Sequence, residues 1–246
     1  MRMILCAACT ATLLGTSAAF AADIAAAPDY DYAPPSEPVA QPAGSGIFGD
    51  ATLSATFLAN DLTDDGWAAS IGGVFVFPLG NGWSASIQGN SSYLFDSDEW
   101  ASLLEADVFY VAPTWAVGAF VAAGDEEVYA VGAEAALFTS NFDFLGEVGY
   151  VFADTDAVEA AAAAYYYLTP DTYVGATIGS TWFDGGGDFQ TASVGAEHRF
   201  ANTPVTGFVD AGWDNAGGDN FQVTAGSRIL FGTNGTLKDY FRTNPF

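Results

Sequence analysis

The chain has 246 residues, half of them hydrophobic, with 30 acids against 5 Lys plus Arg and a formal net charge of -25. So acidic a chain repels a phosphate backbone, which excludes nucleic acid as a partner. Gly (28), Phe (20) and Tyr (11) are abundant while Lys is nearly absent, unlike a water-facing acidic surface, which mixes Glu with Lys.

Residues 1–21, MRMILCAACTATLLGTSAAFA, read as an export signal, with Arg2 as basic start, an apolar stretch to about Leu14 and Ala19-Phe20-Ala21 as cleavage site. The apolar stretch falls short of the ~20 residues a spanning helix needs. Both cysteines, Cys6 and Cys9, lie in this leader, so the mature chain is expected to form no disulfide. Residues 22–46 carry five of the ten prolines without a hydrophobic period, which predicts a disordered Pro/Ala-rich linker.

From Phe48 the texture changes to segments of about ten residues that alternate at every second position, the strand period. Roughly twelve strands are expected, with ten as the alternative count. They lie near 48–57, 67–77, 82–95, 101–112, 115–123, 127–138, 142–152, 157–168, 172–183, 189–200, 204–213 and 220–232. The five alanines of 160–164 would also suit a helix, but Tyr165-Tyr166-Tyr167 and the neighbouring segments favour sheet. Short connections imply an antiparallel up-and-down meander, giving an all-β domain over 47–232 with a tail over 233–246.

The connections fall into two alternating classes. One is tight, marked by Pro78, Pro113, Pro170 and Pro204, with Thr139-Ser140-Asn141 as fifth member. The other is acidic: Asp61, Asp64 and Asp65; Asp96, Asp98 and Glu99; Asp125, Glu126 and Glu127; Asp154 and Asp156; Asp184 and Asp188; Asp214 and Asp219. One end of the sheet therefore differs chemically from the other.

Alternation alone fits a barrel in water or in lipid. The polar face is rich in Gly, Ser and Thr, and large aromatics such as Trp83, Tyr110, Trp182 and Trp213 gather near strand ends, which favours lipid outside and polar residues inside. Within a bilayer, a closed meander also pairs every backbone group. In FDFLGEVGYVF (142–152), parity turns Phe144, Val148, Tyr150 and Phe152 to lipid and Asp143 and Glu147 to the lumen. The same count sends Glu105, Asp107, Glu134, Glu159, Glu197, Asp210, Arg199 and Arg228 inward. A charge facing mid-bilayer lipid would cost about 2–4 kcal/mol.

This pattern resembles the small outer-membrane, porin-like (opacity-type) β-barrels of Gram-negative bacteria. The resemblance implies an outer-membrane location, contact with outer-membrane lipid and lipopolysaccharide, and insertion by the barrel assembly machinery. It also implies an assembly signal on the last strand. FQVTAGSRILF (221–231) ends in Phe231, and fifteen further residues end in Pro245-Phe246, so Phe231 and Phe246 are both candidates.

Catalytic and metal-binding patterns are not found. Ser193 lies five residues before the single histidine, His198, on the opposite face, and no zinc-ligand or catalytic-triad spacing exists. DGGG (184–187) lacks the Lys and helix of a phosphate cradle, and DLTDDG (61–66) misses calcium-loop spacing. No enzyme and no cofactor is expected. An acid-rich lumen favours cations, so the expected function is a passive channel for ions or small solutes with weak cation preference. The alternative is a non-conducting structural barrel in which acids pair with Arg, for example Glu197 or Asp210 with Arg199 or Arg228. Finally, Thr236-Leu-Lys-Asp239 has the pattern of a capping box, predicting a turn or two of helix over 237–242 that carries Lys238 and Arg242 and partly plugs one opening.

Overall fold

The computed structural model describes residues 46–60, 66–95, 97–216, 218–233 and 235–246. The expected leader and nearly all of the linker, together with Asp61, Asp64, Asp65 and Asp96 of the acidic connections, lie outside the described residues. Period-two alternation yields twelve strands. They are β1 (Phe48–Asn60), β2 (Gly66–Gly80), β3 (Trp83–Leu94), β4 (Glu99–Ala112), β5 (Trp115–Gly124) and β6 (Tyr129–Phe138). There follow β7 (Phe142–Phe152), β8 (Ala157–Thr169), β9 (Thr172–Phe183), β10 (Asp188–Arg199), β11 (Val205–Asp214) and β12 (Asn220–Phe231). The alanine run lies in β8, where Ala160 to Ala164 pair with Val148 to Phe144 of β7. Residues 125–127, partly assigned to a strand by their sequence, form a 3-10 turn before β6 instead.

Every strand pairs antiparallel with its chain neighbours, and β1 closes on β12 from Gly49↔Phe231 to Ala59↔Phe221. Closure leaves no unpaired sheet edge, the condition for backbone at membrane depth. At the tight end, β2 and β3 join through Asn81-Gly82, both at positive φ (54° and 87°), the two-residue turn whose twist matches the strands. A Cβ at Gly82 would also stand 2.6 Å from the Tyr110 ring, so only glycine fits.

The exterior is greasy. Leu53, Ile71, Val121 and Ile178 along the middle of their strands are 56–63% exposed. Exposed aromatics ring both ends: Trp67, Trp100, Phe152 and Phe221 near the acidic connections, Trp83, Trp115, Phe142 and Phe200 near the tight ones. So large a continuous apolar surface belongs in hydrocarbon, with its aromatics at the two interfaces.

After β12 the chain folds back inside. Thr236 accepts from the Asp239 amide, Asp239 accepts from the Thr236 amide, and this capping box opens α1 (Leu237–Thr243). Leu237 and Tyr240 are fully buried among Phe48, Val76, Phe109, Tyr173 and Leu230. The Leu237 amide donates to Asp171 Oδ1 (3.0 Å) and the Lys238 amide to the Pro170 carbonyl (3.0 Å), which fixes α1 at the tight-turn end. Phe246 continues inward, edge-on to Phe109 and against Ala116 and Ala136.

Candidate functional site

The inner wall sorts its charges by height. Asp50 on β1, Asp143 on β7 and Glu197 on β10 lie within a few residues of the tight-turn end, and each has an arginine. Arg228 Nε stands 3.8 Å from Glu197 Oε1 and 3.9 Å from Asp50 Oδ2. Tyr240 donates to Asp50 (2.6 Å), Tyr173 to Glu197 Oε2 (2.9 Å) and Thr206 to Glu197 Oε1 (2.5 Å). Burial and the adjoining Asp50 carboxylate push the Tyr240 hydroxyl well above its ordinary pKa, so it keeps the proton it donates. Arg242 of α1 donates from Nε to Asp143 Oδ1 (3.0 Å) and from Nη2 to the same oxygen (2.5 Å). Its Nη2 also bonds the Thr139 carbonyl, and Lys238 Nζ bonds the Ser140 carbonyl.

Arg199, at the end of β10, donates to the Thr203 carbonyl (3.0 Å) and to the Gly235 carbonyl, 3.9 Å from Asp171. It staples the tail to the rim rather than lining the bore. His198 faces outward, bonded to Thr172 and edge-on to Phe200, with Ser193 at odd parity from it. That separation leaves no hydrolytic pair.

Higher in the barrel stands a second set of carboxylates. Glu105 and Asp107 on β4, Glu134 on β6, Glu159 on β8 and Asp210 on β11 are buried, and Glu147 on β7 is half-buried. Among the described residues no Lys, Arg or His lies within ion-pair distance of any of them. Neutral donors serve instead: Ser86 bonds Asp107 (2.6 Å) and Gln88 bonds Glu105. Glu134 and Glu147 are direct cross-strand partners, a like-charge pairing that destabilises a sheet. The wall makes room for them, because a Cβ at Gly118 would collide with the Glu134 carboxylate.

A cavity of ≈ 280 Å³ occupies the bore, lined towards the acidic connections by Leu58, Leu94 and Ala101 and towards the tail by Tyr240, Asn244 and Phe246. Glu105, Glu134 and Glu147 line one side, and Thr56, Ser70, Asn90 and Ser92 line the other. A second cavity of ≈ 50 Å³ adjoins it at Glu147 and Gln222 and carries Glu159 and Asp210.

Three features of the interior escaped the sequence. Asp50 was not singled out because Phe48 and Asp50 share a face, which blurs the alternation of β1. Its parity with Thr52, Ser54 and Thr56 is the signal that would have found it. Tyr240 and the depth of Phe246 depend on where the tail docks, and no local pattern encodes that. Phe231 ends β12 on the outer surface, packed on Phe75 at 5.4 Å between ring centres, whereas Phe246 sits inside the barrel.

No family model and no curated protein sequence matches the chain. Solved structures do. A KdgM porin superposes with TM-score 0.54 over 73% of this chain and 99% of its own, at 10% identity. A NanC porin gives 0.54 over 73% and 98%, also at 10% identity. An outer-membrane channel from Pseudomonas putida F1 gives 0.51 over 79% and 99%, at 14% identity. The fold is that of the outer-membrane porin-like barrels. Together with the aromatic-bordered apolar belt, it makes this a membrane-spanning barrel of the outer-membrane type. The narrower opacity-type resemblance is not singled out by these neighbours.

Proposed function

We propose that this barrel is a passive outer-membrane channel for small solutes and ions that prefers cations, entered from the acidic end and restricted at the other by its own tail. The observation that carries this reading is the set of mid-height carboxylates, unmatched by any described base, beside a cavity of ≈ 280 Å³. In a low-dielectric bore, uncompensated carboxylates attract cations and repel anions. One KdgM porin structure was solved with oligogalacturonate, itself a carboxylate polymer. The bore here has the opposite complement, so a polyanion is a poor cargo. Short turns face the periplasm in such barrels, which puts α1 at the periplasmic mouth and the acidic connections outside. The lipid belt then meets outer-membrane lipid, and the acidic rim meets the ion-bridged lipopolysaccharide headgroups. Insertion would depend on the barrel assembly machinery. Catalysis has no place in this reading.

Planar-bilayer recording in a potassium chloride gradient tests it. The expected result is discrete steps with a reversal potential of cation-selective sign. An absence of steps above background would leave the structural alternative, which the Arg228 and Arg242 bridges and the filled tight end favour. Deleting residues 233–246 separates the two. In a protein that still assembles, conductance should rise several-fold, and an unchanged conductance would sink the plug.

A further inference from the structure

On one wall of the larger cavity the inward side chains are hydroxyls held in register. Thr224 of β12 pairs with Thr56 of β1, and on the next tier Ser54 of β1 pairs with Ser70 of β2 and Ser70 with Ser92 of β3. All of them line the cavity. The hydroxyls of Thr56 and Thr224 stand 2.8 Å apart, and those of Ser70 and Ser92 stand 2.7 Å apart. Each couple holds two O–H hydrogens and spends one on the bond between its members. One hydrogen per couple is left for an acceptor in the bore.

Across the bore the requirement is opposite. β7 lies six strands from β1 in either direction around the closed barrel, and its Glu147, half-buried, lines the same cavity. An ionised carboxylate accepts and cannot donate. A cation supplies donors to Glu147 and nothing to the hydroxyl hydrogens, whereas an anion accepts from the hydroxyls and is repelled by the acids. A neutral hydroxyl donates and accepts, so it answers both walls. The tail forms the base of the cavity. Phe241 and Phe246, both half-buried, line it, while Leu237 and Tyr240 are fully buried against the barrel wall. A molecule entering from the acidic end therefore comes to rest on aromatic rings, whose negative faces suit carbon-bound hydrogens.

We propose that the bore binds a small neutral sugar or cyclic polyol, its hydroxyl edges between the Thr56 and Ser70 wall and Glu147, its carbon face on Phe241 and Phe246. Such a ring carries hydroxyls around its rim and C–H bonds on its faces, the same division that the cavity shows. The cavity, ≈ 280 Å³, is near the lower bound of about 300 Å³ for small-molecule sites, which suits a small ring and excludes a long oligomer. This assignment deepens the channel reading by naming a solute class, and it rests on the premise that solutes reach the bore from the acidic end.

The test is titration of glucose, followed by saturation-transfer NMR, on the full-length protein in a non-ionic detergent without a sugar headgroup. Saturable binding near one per barrel is expected, with glucuronate, the same ring carrying a carboxylate, at least tenfold weaker. In the unaltered protein, glucose analogues lacking single hydroxyls should bind several-fold more weakly, a readout that needs no variant. The double variant Ser70→Ala, Ser92→Ala, which leaves every acid in place, should weaken glucose at least fivefold. An absence of saturable binding would overturn the site and leave the bore to water. Glucuronate binding as well as glucose, indifference to the missing hydroxyls, or undiminished binding in the double variant would each overturn it too. Saturable binding without bilayer conductance would keep the site and sink the channel, and conductance without binding would do the reverse.

Discussion

The two heights of the barrel interior treat the same chemical group in opposite ways. Near the tight turns, Asp50, Asp143 and Glu197 are locked to Arg228 and Arg242 and capped by Tyr240, Tyr173 and Thr206. At mid-height, Glu105, Asp107, Glu134, Glu147 and Glu159 share a wall with no described base in reach. Ion pairs at one end hold the tail in place. At mid-height Glu134 and Glu147 stand directly opposite each other, a like-charge pairing that costs stability instead of supplying it.

The comparison breaks most sharply at Arg228. Replacing it by Met leaves Asp50 and Glu197 buried without a cation, and removing one partner of a buried pair costs about 3–5 kcal/mol. Urea unfolding in lipid bilayers, compared at fixed pH, should show a loss of that size. A loss below about 1 kcal/mol would mean that the tight end is held by apolar packing alone. At mid-height the sign should reverse. Glu134→Gln removes one of two directly opposed carboxylates, so stability should hold or rise by up to about 1 kcal/mol while the cation preference falls. A destabilised Glu134→Gln protein would show that this carboxylate is structural, and the contrast between the two heights would dissolve.

How much of this was legible in the sequence follows from the range over which each feature is encoded. Strand period, closure and the lipid face are local: in FDFLGEVGYVF the alternation of Phe144, Val148 and Phe152 with Asp143 and Glu147 survives any choice of partner strand. The capping box at Thr236 is local too and could be read directly. Pairing was not. Sequence reasoning offered Glu197 or Asp210 against Arg199 or Arg228, and the barrel joins Glu197 to Arg228 while Arg199 turns to the Gly235 carbonyl. That choice depends on a register across β10, β11 and β12 and on the docking of a tail that begins after the sheet ends. Asp50 is the extreme case, because its hydrogen-bond partner Tyr240 lies 190 positions away.

The smallest expected effect probes how the tail is held. Thr236→Ala removes the hydroxyl that accepts from the Asp239 amide at 3.2 Å and donates to the Asp239 carboxylate at 2.8 Å. N-cap loss of this kind costs about 1 kcal/mol, far less than the loss expected at Arg228. α1 is only seven residues long, too short to persist without tertiary contacts, so the cap and the buried Leu237 and Tyr240 hold it jointly. Hydrogen exchange of the α1 amides should therefore speed up by about fivefold, the equivalent of 1 kcal/mol at 25 °C, while amides of β10 to β12 keep their protection. If the strand amides lost protection equally, the tail would be a part of the barrel fold that opens only with it, and a plug that moves on its own would be ruled out.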